Sequence, residues 1–168
     1  LLFMGAGSLL YAVHTRNMEE YGGLLRRMPW TGLLFLIGAV SISALPLANG
    51  FVSEWLVFQT LFLSLQLPAL FLKLMLPIAA ALLSLTGVLS LVCFAKAFGL
   101  SFLALPRSSH ARHAKEVPIT MRIGMGFLAL WCVGLGLAPM IVVPLLDRIT
   151  GPLTGVSISG KVLALDGW

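Results

Sequence analysis

Glu54 is the only acidic residue in the long apolar stretch from Trp30 to Leu72. A carboxylate in hydrocarbon costs roughly 3 kcal/mol or more unless it pairs, takes up a proton or faces a hydrated cavity. The chemistry open to it is proton chemistry. Burial disfavours the anion, a nearby cation favours it, and a carboxyl group that meets water on one side can load and release a proton. Just upstream, Pro46-Leu47-Ala48-Asn49-Gly50 interrupts the apolar pattern. Pro46 removes a backbone N–H, and Asn49-Gly50 is a turn signal. At membrane depth such a break leaves carbonyls before Pro46 and N–H groups after Gly50 without intrahelical partners, and these can orient water. Discontinuous helices are also where transporters place ion sites. On this reading the helix resumes near Phe51, with Glu54 in its first turn, where the helix dipole favours an anion.

Two more residues are candidates for a proton path. Lys96 lies near the end of an apolar run, where lysine ordinarily snorkels to the interface, so it is a relay only if it lines the cavity of Glu54. His14 closes the first apolar run, where a histidine suits the mouth of a path as well as a plain interface position. His110 and His113 lack a third ligand, so no metal site is expected. Cys93 and Cys132 sit in apolar runs without a CxxC pattern and read as small hydrophobes. Trp30, Trp55 and Trp131 read as packing or interface anchors. The glycine pairs follow no phosphate-loop spacing. With no Ser/His/Asp spacing of catalytic type either, neither a cofactor nor a catalytic site is expected in this chain.

The elements that must position these groups are membrane elements. Of 168 residues, 59% are hydrophobic and 10% charged, against roughly 25% charged in soluble domains, and the mean hydropathy is +1.01. An ordinary water-soluble domain is excluded. The net charge of +5 comes with no basic stripe interleaved with aromatics, so nucleic acid is not the partner. The expected fold is all-α, a polytopic transmembrane helix bundle with one discontinuous helix. Residues 1–13 read as the end of a cut helix and 14–29 as a loop. A broken helix covers 30–72, a span 73–98, a loop 99–122, a span 123–146 and an outer-face tail 147–168. Small residues along 73–98 (Ala79, Ala80, Ala81, Ser84, Gly87) permit close helix packing.

The stretch 30–72 admits a second reading, as two full helices joined by a turn. Charge discriminates between them, since short cytoplasmic loops collect Lys and Arg. One broken helix puts loops 14–29 and 99–122 on the same side, with Arg16, Arg26, Arg27, Arg107, Arg112, Lys115 and Arg122 together. Two full helices would put the loops on opposite faces and erase the bias. The broken helix is therefore preferred, with both basic loops cytoplasmic.

Three segments, Arg26-Arg27-Met28-Pro29-Trp30-Thr31, Ser43-Ala44-Leu45-Pro46 and Asn49-Gly50-Phe51-Val52-Ser53-Glu54-Trp55, resemble the antiporter-like proton-conducting membrane subunits. These are the large membrane subunits of respiratory complex I, Mrp-type antiporters, and the membrane arms of hydrogenase-4 and formate hydrogenlyase. The wording of Met18 to Trp55 is most similar to the hydrogenase-4 and formate hydrogenlyase branch of that family, and a weaker resemblance runs to about Arg148. It implies that Pro46, Asn49 and Gly50 form the break and that Glu54 ends a chain of charged groups carrying protons across the membrane. The family usually reads Pro-Pro-Leu-Asn-Gly there; Leu47 and Ala48 replace its second Pro and its Leu, which implies a less rigid break. The family's other charged groups lie on helices preceding Leu1. The implied whole is a proton-translocating subunit in the inner membrane of a bacterium or archaeon, with redox chemistry in partner subunits. The alternative is an Mrp-type cation/proton antiporter, which leaves sodium open as the ion.

Overall fold

The computed structural model describes residues 1–64, 70–103 and 105–154, and among them it is helical with no strand. The helices are α1 (Leu2–Val13), α2 (Pro29–Ile42), α3 (Asn49–Ser64), α4 (Leu70–Phe98), α5 (Ser109–His113), α6 (Ile119–Leu137) and α7 (Pro139–Thr154). A π-helical turn, Gly99–Leu103, extends α4. Two helical stretches are long and apolar enough to cross a membrane, Phe71–Leu103 and Ile119–Leu137.

Several boundaries differ from the sequence expectation. The broken helix ends at Ser64, and residues 70–72 open α4 instead. A lone Lys73 in a first turn is a tolerable interface charge and ends nothing. Residues 99–122 are only partly loop: the π turn continues α4, α5 lies within, and α6 already begins at Ile119. The expected span 123–146 is two helices. Pro139 has no N–H and restricts the residue before it, so Ala138 leaves helical geometry (φ −116°, ψ 49°) and α7 starts afresh. Residues 147–154 of the expected tail are therefore helical; residues 155–168 lie outside the described residues.

The best-packed core lies beneath the basic loops. Leu9 and Val13 of α1, Leu24 and Met28 of the first loop, Phe35 of α2, Phe102 of the π turn and Met125 of α6 are buried together. The wide π turn swings Phe102 inward, where its ring meets Phe98 at 5.1 Å and Phe35 at 5.4 Å between centroids. The two basic loops touch: Ser108 Oγ donates to the Glu20 carbonyl at 2.8 Å. Tyr21, buried there, donates its hydroxyl to the Thr15 carbonyl at 2.6 Å. Burial, with the Glu20 carboxylate adding to it, raises the Tyr21 phenol above its ordinary range.

The path of α2 and α3 is fixed by their neighbours on α4. The Gly32 Cα faces Phe102, and the Glu54 carboxylate faces Gly87. Those two partners are 15 residues apart, or about 22 Å along the helix. A hairpin would return Glu54 to the level of Lys96; at Gly87 it lies farther from the basic loops, so α3 continues in the direction of α2. The 14-residue α2 is about 21 Å long, short of a hydrocarbon core of roughly 30 Å.

Two glycines make the interruption possible. A Cβ on Gly50 would lie 1.9 Å from the Ser41 carbonyl oxygen, and one on Gly136 of α6 would lie 2.5 Å from the Ala48 backbone. Gly50→Ala and Gly136→Ala should each destabilise the complete protein by about 1–3 kcal/mol, the cost of overpacking. Gly126→Ala, with nothing within 4 Å of the added atom, is the control, and thermal unfolding in detergent reads all three. Because the Tyr21 phenol is raised on folding, its contribution is present below about pH 10 and is lost as pH rises through the folded value. The midpoint difference between the natural protein and Tyr21→Phe should shrink above that pH.

Candidate functional site

The site begins where α2 runs out of hydrogen bonds. Ser43 N–H still donates to Ala39 at 3.1 Å, but Leu45 N–H reaches back five residues to Val40 at 3.2 Å, a widened last turn. Pro46 then has no N–H to offer. Ala44 (φ 50°) and Leu47 (φ 75°) adopt left-handed conformations, which cost non-glycine residues about 1–3 kcal/mol each. The break is covered at its two ends, where Ser43 and Ala48 are buried and Ala48 rests on Gly136, while Pro46 and Leu47 between them are exposed. Irregular backbone survives at membrane depth where protein covers it or water reaches it.

Helix α3 resumes at Asn49, two residues earlier than expected. Glu54 is consequently in its second turn, past the reach of the strongest dipole field. Its stabilisation has to come from its surroundings. Gly50, Glu54, Phe58 and Leu61 fall on the half-buried side of α3, toward α4. One stripe of α4 answers them, Leu72, Leu76, Ala80, Leu83, Gly87, Ser90, Phe94 and Ala97, all half-buried. Glu54 Oε2 lies 3.6 Å from where a Gly87 Cβ would be, so the carboxylate faces α4 at that glycine. Of the small residues expected to pack α4, Ala80 and Gly87 do so; Ala79, Ala81 and Ser84 are exposed because they lie off the stripe.

Lys96 does not join Glu54. It is nine residues beyond Gly87, half a turn out of phase and about 13 Å along the axis, and it is exposed. His14 is at the basic-loop end, exposed, and serves as the left-handed C-cap of α1 (φ 58°), its N–H donating to Leu10 at 2.9 Å. Trp30, Trp55 and Trp131 are all exposed, in keeping with anchors rather than core. Cys93 is exposed and Cys132 half-buried, both as free thiols.

Three groups escaped the sequence reading. Ser41 Oγ and Gln59 Oε1 are buried and have no hydrogen-bond partner; they bracket Glu54 in sequence, one before the break and one after. Ser41, Asn49, Gly50 and Cys132 also line an open cavity of about 260 Å3 at the break. A serine and a glutamine in apolar helices carry no distinctive spacing. The third is Glu116. Its Oε1 accepts from the Thr31 hydroxyl at 2.6 Å and its Oε2 from the Trp30 N–H at 3.2 Å. Met28 offers α2 no side-chain cap, so a carboxylate from a loop 85 residues away caps the first half of the broken helix. Only the pairing of the two loops hints at this in sequence.

The transmembrane family model described as NADH:quinone oxidoreductase/Mrp antiporter matches residues 1–78. Hydrogenase-4 component B of Escherichia coli K12 is 44% identical over 154 residues, covering 92% of this chain and 23% of that protein. Formate hydrogenlyase subunit 3 of the same strain is 36% identical over 147 residues, 88% of this chain and 24% of that one. The chain thus spans about a quarter of the length of these curated relatives. Among solved structures, a chain of the membrane-bound sulfane sulfur reductase, an archaeal respiratory membrane complex, superposes with a TM-score of 0.72 at 26% identity, covering 88% of this chain and 23% of that chain.

The Glu116 cap has a measurable consequence. Glu116→Ala should lower the stability of the complete protein by about 1–2 kcal/mol, and Glu116→Gln by less, because an acceptor remains. Adding Thr31→Val to Glu116→Ala should cost little more, since the pair is already broken. Thermal midpoints of the single and double variants test this.

Proposed function

Because the NADH:quinone oxidoreductase/Mrp antiporter transmembrane family model matches residues 1–78 and the hydrogenase-4 and formate hydrogenlyase subunits are 44% and 36% identical, we propose that this chain is part of a proton-translocating subunit of a membrane-bound hydrogenase or formate hydrogenlyase. Redox chemistry belongs to partner subunits of the same complex, and the membrane is the inner membrane of a bacterium or archaeon. The basic face, where the two loops meet, is cytoplasmic by the positive-inside rule. The observation that carries this reading is the Glu54 carboxylate, half-buried against Gly87 just past the interruption between α2 and α3.

The work of the site is electrostatic. A carboxyl group at this depth changes its protonation whenever a charge nearby moves or water reaches it. Ser41 Oγ and Gln59 Oε1, polar and without protein partners, are suited to hold the water that carries a proton to and from Glu54. Charge displacement elsewhere in the complex then shifts the proton affinity of Glu54, which exchanges with one face of the membrane. Lys96 and His14, placed away from the carboxylate, belong to the basic-loop end of such a path. Similarity to hydrogenase-4 component B at 44% identity and to formate hydrogenlyase subunit 3 at 36% favours this reading over a stand-alone cation/proton antiporter.

The test uses the complete protein in its complex, reconstituted in vesicles. Glu54→Gln should reduce redox-driven proton movement to background, while assembly and the redox activity of the partner subunits persist. Glu54→Asp should retain part of it. Replacing sodium by choline should leave the natural protein's proton movement unchanged. Undiminished proton movement by Glu54→Gln would sink the assignment.

A further inference from the structure

Beside the first basic loop, away from the break, the surface opens into a cavity of about 340 Å3. Its walls are Leu25, Phe102, Leu103 and Leu105, and Arg26 and Arg27 stand at its rim. Neither arginine serves the proton path, both are exposed, and among the described residues neither has an ion pair. The cavity sits at the end of the apolar stretch Phe71–Leu103. Trp30, 59% exposed, marks the headgroup level on the same side, where tryptophan is enriched.

The arginines are held in place by what lies beneath them. Leu24–Arg26 is a short 3-10 turn anchored by the fully buried Leu24, and the Arg27 N–H donates to the Leu24 carbonyl at 3.0 Å. The floor is equally fixed, since Phe102 is 1% exposed. Next to it Leu103 and Leu105 are 63% and 83% exposed, an apolar surface running from the cavity into the membrane zone. Two planar cations above an apolar wall suit a ligand with a phosphate at one end and hydrocarbon at the other. Guanidinium forks bind phosphate oxygens in pairs. An anionic head group leaves that charge uncompensated for the arginines, whereas a zwitterionic one brings its own cation. A free phosphate would leave the apolar wall bare.

We propose that this cavity binds one anionic phospholipid, its phosphate held by Arg26 and Arg27 and an acyl chain lying along Leu103 and Leu105. The lipid bridges the first loop and the π turn, which also grips α2 through the Gly32 contact with Leu25 and Phe102. It braces the basic-loop end of the broken helix. The site is independent of Glu54, so neither proposal stands or falls with the other.

The experiment delipidates the complete complex in detergent and follows its thermal midpoint on adding phosphatidylglycerol, phosphatidylcholine or inorganic phosphate. Phosphatidylglycerol should raise the midpoint by several degrees more than phosphatidylcholine, and phosphate should raise it little. The double variant Arg26→Gln/Arg27→Gln should lose at least half of that extra shift. Leu103→Trp, which fills the cavity and keeps both charges, should lose a similar share. Equal shifts with the two lipids, the full shift with phosphate alone, or an undiminished shift in both variants would overturn the proposal. So would loss of a neighbouring protein from the purified double variant with no change in lipid response, which would assign the arginines to an acidic protein partner.

Discussion

The course of α2 and α3 depends on how the interruption between them is packed. Backbone polar groups in hydrocarbon must be paired, covered by protein or wetted. The interruption at 43–48 meets that demand by leaning on α6, where Gly136 lets the Ala48 backbone come close, and by letting Gly50 pass the Ser41 carbonyl without a side chain. Neither approach is possible with any larger residue. The left-handed Ala44 and Leu47 are the cost of that geometry, and the contacts around them keep it in place.

From that constraint the rest of the site follows. Because the interruption consumes chain with little axial advance, α3 starts deep in the bundle, and Glu54 arrives beside Gly87 rather than near the basic loops. The two halves are held differently. At its head α2 is fixed by Glu116, by Phe102 and by the buried core under the loops. α3 is held between α4 and α6, with Glu54 on the side that meets Gly87.

Much of this was legible in the sequence, for physical reasons. A lone carboxylate after a Pro-to-Gly interruption in an apolar stretch can be read from residue types, because lipid penalises both so heavily. The charge count placed the two basic loops on one side, and Ser108 of the second does bond the Glu20 carbonyl of the first. Helix ends were less legible. The pause at Ala138 depends on Pro139 alone, and hydropathy passes over it. The start of α3 at Asn49 rather than Phe51 placed Glu54 two residues deeper into its helix than the dipole argument assumed. Long-range partners were beyond reach: nothing local marks Glu116 as the cap of α2, Gly136 as the seat of the break, or Lys96 as out of phase with Gly87. Such facts belong to the packing of helices whose register only the fold sets.

The central claim is that the Glu54 carboxyl group changes protonation during turnover. Infrared difference spectroscopy of the complete complex, driven between its redox states, tests that directly. The account predicts a carboxylic-acid carbonyl band that rises or falls with turnover in the natural protein and is missing in Glu54→Gln. The same band persisting unchanged in Glu54→Gln, while protons cross the membrane at the full rate, would contradict it.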